Sequence, residues 1–305
     1  MDRKTFALRH LDMKGKGLEI GASYNPLFPK KDGYTVKTLD HLSREDLCKK
    51  YQGDKNVDLA KIEDVDFVWK GEEYDKLVGE ERFDWIFAAH LIEHVPNIVA
   101  FINDAATILK EDGVLCLVIP DKRYTFDMYR PQSSIASVID AHVEQRKIPT
   151  LGSRFEYMFS YGSRNQKTSS IENIVFPLLP HGDIKQTMLL TSDDSSYTDV
   201  HVWSFTPNHF RLLIEVLFQT KLISLREQCF HPSVGHEFYI TLSASGNGPG
   251  CDIRQLFKAA LAEARHPFLS GGRGTHWFRI MVAALDRHIL GGSLRTLYRK
   301  IRAGS

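Results

Sequence analysis

At 305 residues, with 43% hydrophobic and 11% aromatic content, the chain is long enough for one large α/β domain carrying an insertion, or for two domains. A formal net charge of +1 argues against a dedicated nucleic-acid binder, which is usually strongly basic. Cys48, Cys116, Cys229 and Cys251 are scattered without a CxxC pair, which argues against a disulfide framework or a zinc ribbon, and no run approaches the ~20 apolar residues of a membrane span.

Met1 to Thr5 contains no apolar stretch of signal-peptide type, so the chain reads as cytoplasmic. Lys16 to Ile20 predicts a short strand that runs into Gly21, where the backbone turns sharply and a ligand can approach closely. Glu19 is placed just upstream to accept hydrogen bonds from a cationic ligand. A second strand, Tyr34 to Leu39, ends in Asp40, and an acid at that spacing is how a doubly wound fold grips a ribose diol. Val65 to Trp69 predicts a short strand or its exit loop, and Phe83 to Ala89 an apolar strand. Ile98 to Leu109 has helical spacing, and Lys110-Glu111-Asp112-Gly113 predicts its glycine-terminated end. Val114 to Ile119 is continuously apolar, as in a central strand covered on both faces, with Cys116 a reduced core residue. Strands alternating with helices predict a Rossmann-like, doubly wound, mostly parallel sheet.

From Tyr124 to about Val200 the chain is aromatic, polar and irregular. Thr206 predicts an N-cap before Pro207 at the first position of a helix reaching Thr220. Strands are predicted over Leu222 to Cys229 and Glu237 to Ser243, then a linker over Gly246 to Gly250. The organisation expected is a core over 1–123, an insertion over 124–200, completion of the core over 201–245 and a C-terminal helical extension over 246–305.

Leu18-Glu19-Ile20-Gly21, Asp40, Phe83-Asp84-Trp85-Ile86 leading to Leu91-Ile92-Glu93-His94-Val95, and Leu109-Lys110-Glu111-Asp112-Gly113 before a strand together resemble the class I S-adenosylmethionine (SAM)-dependent methyltransferases. The resemblance covers roughly residues 15–120; the usual second and third glycines of the first loop are Ser23 and Asn25 here. Ile119 to Asp127 and His201 to Thr206 carry a narrower resemblance to bacterial methyltransferases of polysaccharide synthesis. By position, the resemblance implies that Glu19, Gly21 and Ala22 line the methionine end of SAM and that Asp40 binds the ribose. It further implies that Asp66 and Phe67 flank the adenine, and that Ala89 and His90 touch the methionine moiety.

His90-Leu91-Ile92-Glu93-His94 also spells the inverted zinc-peptidase motif. That motif needs both histidines on one helix face; His90 ends a strand, so the two are expected to diverge and no zinc is expected there. Asp140-Ala141-His142 and Asp199-Val200-His201 each pair an acid with a histidine two residues on. If extended, such a pair faces one side and suits either a base with its orienting carboxylate or two ligands of a divalent ion, with ordinary surface groups as the plain alternative. His201 with Asp199 is the expected catalytic pair, with Mg2+ shared by the two as a variant, and His142 competes for the role.

A sugar hydroxyl is a poor nucleophile, and a positioned base typically contributes about 10²–10⁴-fold. Asp121, Arg123, Tyr124 and Arg130 are expected to hold the acceptor, with Tyr124, Phe126, Tyr129, Arg130, Phe155, Tyr157, Phe159 and Tyr161 suited to stack on sugar rings and Arg123, Arg130 and Arg154 to hold acidic or phosphorylated glycans. The expected function is methyl transfer from SAM to a hydroxyl of a saccharide or glycan precursor; the alternatives are a non-glycan small-molecule methyltransferase and a catalytically silent binding subunit of a polysaccharide assembly complex. The basic tail from Arg273 reads either as a membrane-surface helix or, more ordinarily, as a packed helix with a solvated face. The expected partner is a glycan or sugar-containing small molecule rather than nucleic acid, and a homo-oligomer is compatible with the sequence.

Overall fold

The computed structural model describes residues 2–160, 184, 188 and 197–265. All but the last of these belong to one compact unit, 1–264; a second unit begins at Arg265. The tail from Arg273 and Tyr161 of the insertion lie outside the described residues.

Seven strands form one sheet: β1 (Gly17–Ile20), β2 (Val36–Asp40), β3 (Phe67–Val68), β4 (Phe83–Ala89), β5 (Leu109–Pro120), β6 (Arg226–Val234) and β7 (Glu237–Ser243). Their order is β3-β2-β1-β4-β5-β7-β6. The first five run parallel, while β7 is antiparallel to both β5 and β6. This is the mostly parallel, Rossmann-like sheet of the class I methyltransferase fold.

The period-2 alternation of β5 divides the core. Leu115, Leu117 and Ile119 join the layer that contains Ile98, Ile102, Phe210 and Leu213. Val114, Cys116 and Val118 face the other layer, with Phe6, Phe28, Trp85 and Tyr239. The first layer is covered by α4 (Ile98–Ile108) and by the helix Pro207–Gln219, and the second by α1 (Arg3–His10). Short helices α2 (Arg44–Lys50) and α3 (Tyr74–Val78) connect the early strands. The insertion supplies α5 (Ile135–Val143) and α6 (Leu151–Phe159); the helix Pro207–Gln219 is α7, and α8 (Ile253–Arg265) follows the linker. Among the described residues no helix is long and apolar enough to cross a membrane.

Three local details differ from the sequence reading. Leu109 to Gly113 does not cap α4 but already belongs to β5: Leu109 is extended and pairs with Phe83, with a register shift before Trp85 pairs with Val114. Long-range pairing overrides the local stop signal there. Thr206 sits at the N-cap position of α7, but its hydroxyl makes no capping bond and accepts from Gln132 Nε2 instead. Residues 222–225 are not strand: Lys221 takes a positive φ of 61° after α7, and the N–H groups of Leu222 and Ile223 turn back to the Leu217 carbonyl.

Candidate active site

The carboxyl ends of β1, β2, β4 and β5 open on one edge, where ligands of such sheets bind. Gly21 has φ +72°, and a Cβ there would lie 3.2 Å from Leu91 Cδ1. The first loop therefore abuts the turn that carries Leu91 to Val95. Ser23 keeps a left-handed backbone, φ 51°, without being glycine. Its N–H donates to Asp40 Oδ2 at 3.0 Å and its hydroxyl to the Tyr51 hydroxyl, so Asp40 fastens the turn from the neighbouring strand β2. Asp40 Oδ1 accepts from His41 N and lies 2.6 Å from His41 Nδ1. Ala22, Ser23, Thr38 and Asp40 line a narrow cleft.

Glu19 is buried and accepts from the N–H groups of Leu27 and Phe28, at 2.7 and 3.1 Å. Burial pushes its carboxyl up to about 7 against those two bonds. Both oxygens thus already brace the first loop, where the sequence reading aimed them at a ligand. Asp66 turns away from the adenine position expected for it. Its carboxylate accepts from Thr38 N at 2.8 Å and pairs with Lys30 and Lys37. The Phe67 ring meets Phe83 at the amino end of β4, also away from the ligand edge. The register sets Val68 beside Asp40, and Trp69 N donates to the Asp40 carbonyl. Val68 and Trp69 therefore stand beside Asp40 at the strand exit.

Ala89 ends β4 and is half-buried. His90, φ 51°, is engaged by the framework: its Nε2 lies 2.8 Å from Glu237 Oε2 and 2.9 Å from Arg3 Nη2. Burial pushes the Glu237 carboxyl up, but His90 and Arg3 outweigh it and bring it to about 2. His94 faces elsewhere, so the two histidines of the zinc-peptidase motif do diverge. Asp199 Oδ1 lies 2.9 Å from His94 Nδ1, an ion-pair contact without the alignment of a full hydrogen bond.

The pairing expected of Asp199 with His201 is replaced by another. His201 Nδ1 lies 2.5 Å from Asp127 Oδ2, on a 3-10 turn, Phe126–Tyr129, of the insertion. An ionised carboxylate only accepts, so Nδ1 carries the proton of that bond. Burial pushes the Asp127 carboxyl up, but His201 and Arg130 outweigh it and hold it below the usual range. For His94, burial pulls downward, yet Asp199 and Glu93 outweigh it and raise the imidazole. Asp199 is lowered first by His94 and then by the charges of Lys50 and His41, the neighbour of Asp40.

Glu93, which the sequence reading passed over, sits at the centre. It is completely buried, and among the described residues neither carboxylate oxygen accepts a hydrogen bond. His90 Nδ1 and His201 Nε2 stand 3.8 and 4.0 Å from Oε1, too far for hydrogen bonds. The Glu93 carbonyl accepts from Val202 N and Trp203 N, and Trp203 Nε1 donates to the Val95 carbonyl. These bonds clamp the segment 201–203 onto the 91–95 turn. The His94 and His201 rings end 4.6 Å apart and nearly perpendicular, with Phe126 and Tyr157 packed on His201.

Other expected site residues serve the framework. His142 and Asp140 lie two apart on α5, where that spacing turns side chains to different faces, so they form no catalytic pair. Asp121 is fully buried and is taken by Arg123 and by Ser233 Oγ, so the carboxylate and the guanidinium neutralise each other. Tyr124 lies under the Arg123 guanidinium, 5.3 Å away. Arg130, also buried, binds Asp127, Glu156 and the carbonyls of His201 and Val202 instead of facing an acceptor.

Residues 2–167 match a family described as a methyltransferase domain. The match takes in more than half of the chain, and the chain belongs to this family. Among solved structures it is similar to the PH0226 protein from Pyrococcus horikoshii OT3, with 14% identity, 79% of this chain and 86% of that chain covered, and a TM-score of 0.40. The CcbJ methyltransferase from Streptomyces caelestis gives 12% identity, 80% and 88% coverage and a TM-score of 0.41. The glycopeptide N-methyltransferase MtfA, complexed with S-adenosylhomocysteine, gives 12% identity, 79% and 84% coverage and a TM-score of 0.38. Similarity this distant says nothing of substrate. No curated protein matches the chain.

Proposed function

We propose that the chain is a SAM-dependent methyltransferase that methylates a hydroxyl of a saccharide or glycan precursor. The observation that carries this reading is the cluster Glu93, His94 and His201 beside the Gly21 turn, in a chain of the methyltransferase-domain family. Gly21 admits close approach of a ligand, and Asp40 at the end of β2, whose oxygens already accept from Ser23 and His41, keeps further lone pairs for ribose hydroxyls. SAM, when bound, supplies a methyl group on a sulfonium. What remains for the protein is to position an acceptor oxygen and remove its proton, and the cluster supplies carboxylate and imidazole groups for both. Asp127 takes over the orienting role first given to Asp199. Phe126 and Tyr157 around His201 support a sugar acceptor, since flat rings suit sugar faces.

Purified protein should bind S-adenosylhomocysteine in calorimetry and transfer label from SAM to a member of a glycan panel, read by mass spectrometry. His201→Ala should keep that binding and lower turnover by about 10²–10⁴-fold. Absence of binding would leave the silent binding subunit as the better reading.

A further inference from the structure

We propose that Glu93, His94 and His201 form a binding site for one first-row divalent cation such as Mn2+, Co2+ or Zn2+. A fully buried carboxylate without a hydrogen bond is costly, and proteins keep such groups where a charge or an ion compensates them. Two imidazoles stand beside it, and one donor atom from each of the three residues lies within 4.8 Å of the others. Tetrahedral ligands about 2.1 Å from an ion stand roughly 3.4 Å apart, so the three must close by about an ångström, within reach of small side-chain rotations.

The surroundings are those of a ligand set. Metal-binding histidines are usually held through their second nitrogen by a carboxylate, which fixes tautomer and ring orientation. Asp127 stands at Nδ1 of His201 and leaves its Nε2, 4.0 Å from Glu93 Oε1, as the ligand atom, while Asp199 lies at Nδ1 of His94. Two imidazoles with one carboxylate suit Mn2+, Co2+ or Zn2+ better than Mg2+, which prefers oxygen, so the Mg2+ expected at Asp199 and His201 gives way to a different ion on different ligands. The neighbouring group His90, His236 and Glu237 offers a contrast: Arg3 already bonds both Glu237 oxygens and His90 Nε2, so that carboxylate has its cation.

The chemistry assigned to the ion rests on the proposed function; the binding site does not. With the ion in place His201 would serve as a ligand rather than as the free base, and an acceptor hydroxyl held at the ion would be acidified and would lose its proton to solvent water. Its oxygen forms the new O–C bond while the C–S bonding pair stays on sulfur.

The test is titration of the chelator-treated full chain with Co2+, followed by visible absorption, and with Mn2+, followed by electron paramagnetic resonance. One ion per chain is expected, with affinity about 100-fold weaker or lost in Glu93→Gln. Asp199→Asn changes an exposed side chain, leaves the fold intact and should weaken binding about 10–100-fold. No stoichiometric ion in the wild type, or equal affinity in wild type and Asp199→Asn, overturns the site whether or not Glu93→Gln folds. S-adenosylhomocysteine calorimetry on the same samples separates the two claims. Metal without nucleoside binding removes the methyltransferase reading alone, and nucleoside without metal removes this inference alone.

Discussion

Arg130 separates a substrate-binding role from a structural one. Its side chain is 1% exposed, and its guanidinium reaches Asp127 Oδ1 at 2.9 Å and the carbonyls of His201 and Val202 at 2.8 and 3.1 Å. Arg130→Met fills much of the volume but leaves two carbonyls unpaired and the buried Asp127 with His201 as its remaining side-chain hydrogen-bond partner. Removing one member of a buried ion pair costs about 3–5 kcal/mol. In a unit of this size that lowers the midpoint of thermal unfolding by roughly 10 °C. Equilibrium urea unfolding followed by tryptophan fluorescence measures the loss directly. The Met variant should also release the segment 201–203, so turnover falls together with stability. A loss below about 1 kcal/mol, accompanied by a raised KM for an acidic acceptor, would refute the clamp and restore Arg130 to the substrate.

Asp40→Ala should weaken S-adenosylhomocysteine binding by about 2 kcal/mol, some thirtyfold, read by calorimetry; unchanged affinity in a folded variant would remove the cofactor from that edge. Gly21→Ala forces a side chain into φ +72° and against Leu91, so it should cost about 1–2 kcal/mol of stability in denaturant and weaken nucleoside binding further. His209 is buried against Phe205, and burial pulls its imidazole from 6.5 down to about 4. The unfolded chain therefore takes up a proton that the native state refuses. The associated stability is complete above pH 6.5 and lost as pH falls through about 4, up to about 3 kcal/mol. His209→Phe should flatten that part of a stability–pH curve measured by urea unfolding, and an unchanged slope would show that another group carries it.

What the sequence revealed was local or periodic. The alternation in Val114 to Ile119 divides the two core layers, and the glycine after Ile20 and the acid after Leu39 mark the ends of adjacent parallel strands. Pairings across many residues were not legible. Asp127 and His201 are 74 positions apart, and nothing in either neighbourhood specifies the other. The two-residue spacing of Asp199 and His201 suggested a partner because an extended chain puts both on one side, but the clamp of 201–203 onto Glu93 turns His201 toward the insertion and leaves Asp199 to His94. Asp66 was misplaced by a simpler cause: a register that aligns Val68 with Asp40 puts Asp66 beside Thr38, short of the ligand edge.

The run His90 to His94 shows how a motif can fail as a pattern while its residues still converge. The peptidase geometry needs a helix, and this segment is a turn after a strand, so His90 is drawn to Arg3 and Glu237. The same turn buries Glu93 and presents His94 to a histidine from the far side of the insertion. Burial of Glu93 alone would destabilise the chain, and its backbone compensates only in part, by docking Val202 and Trp203. A carboxylate kept there at that cost, beside one imidazole held by Asp127 and another in ion-pair contact with Asp199, is what the proposed cation site would account for; the fold would be served as well by an apolar side chain at position 93.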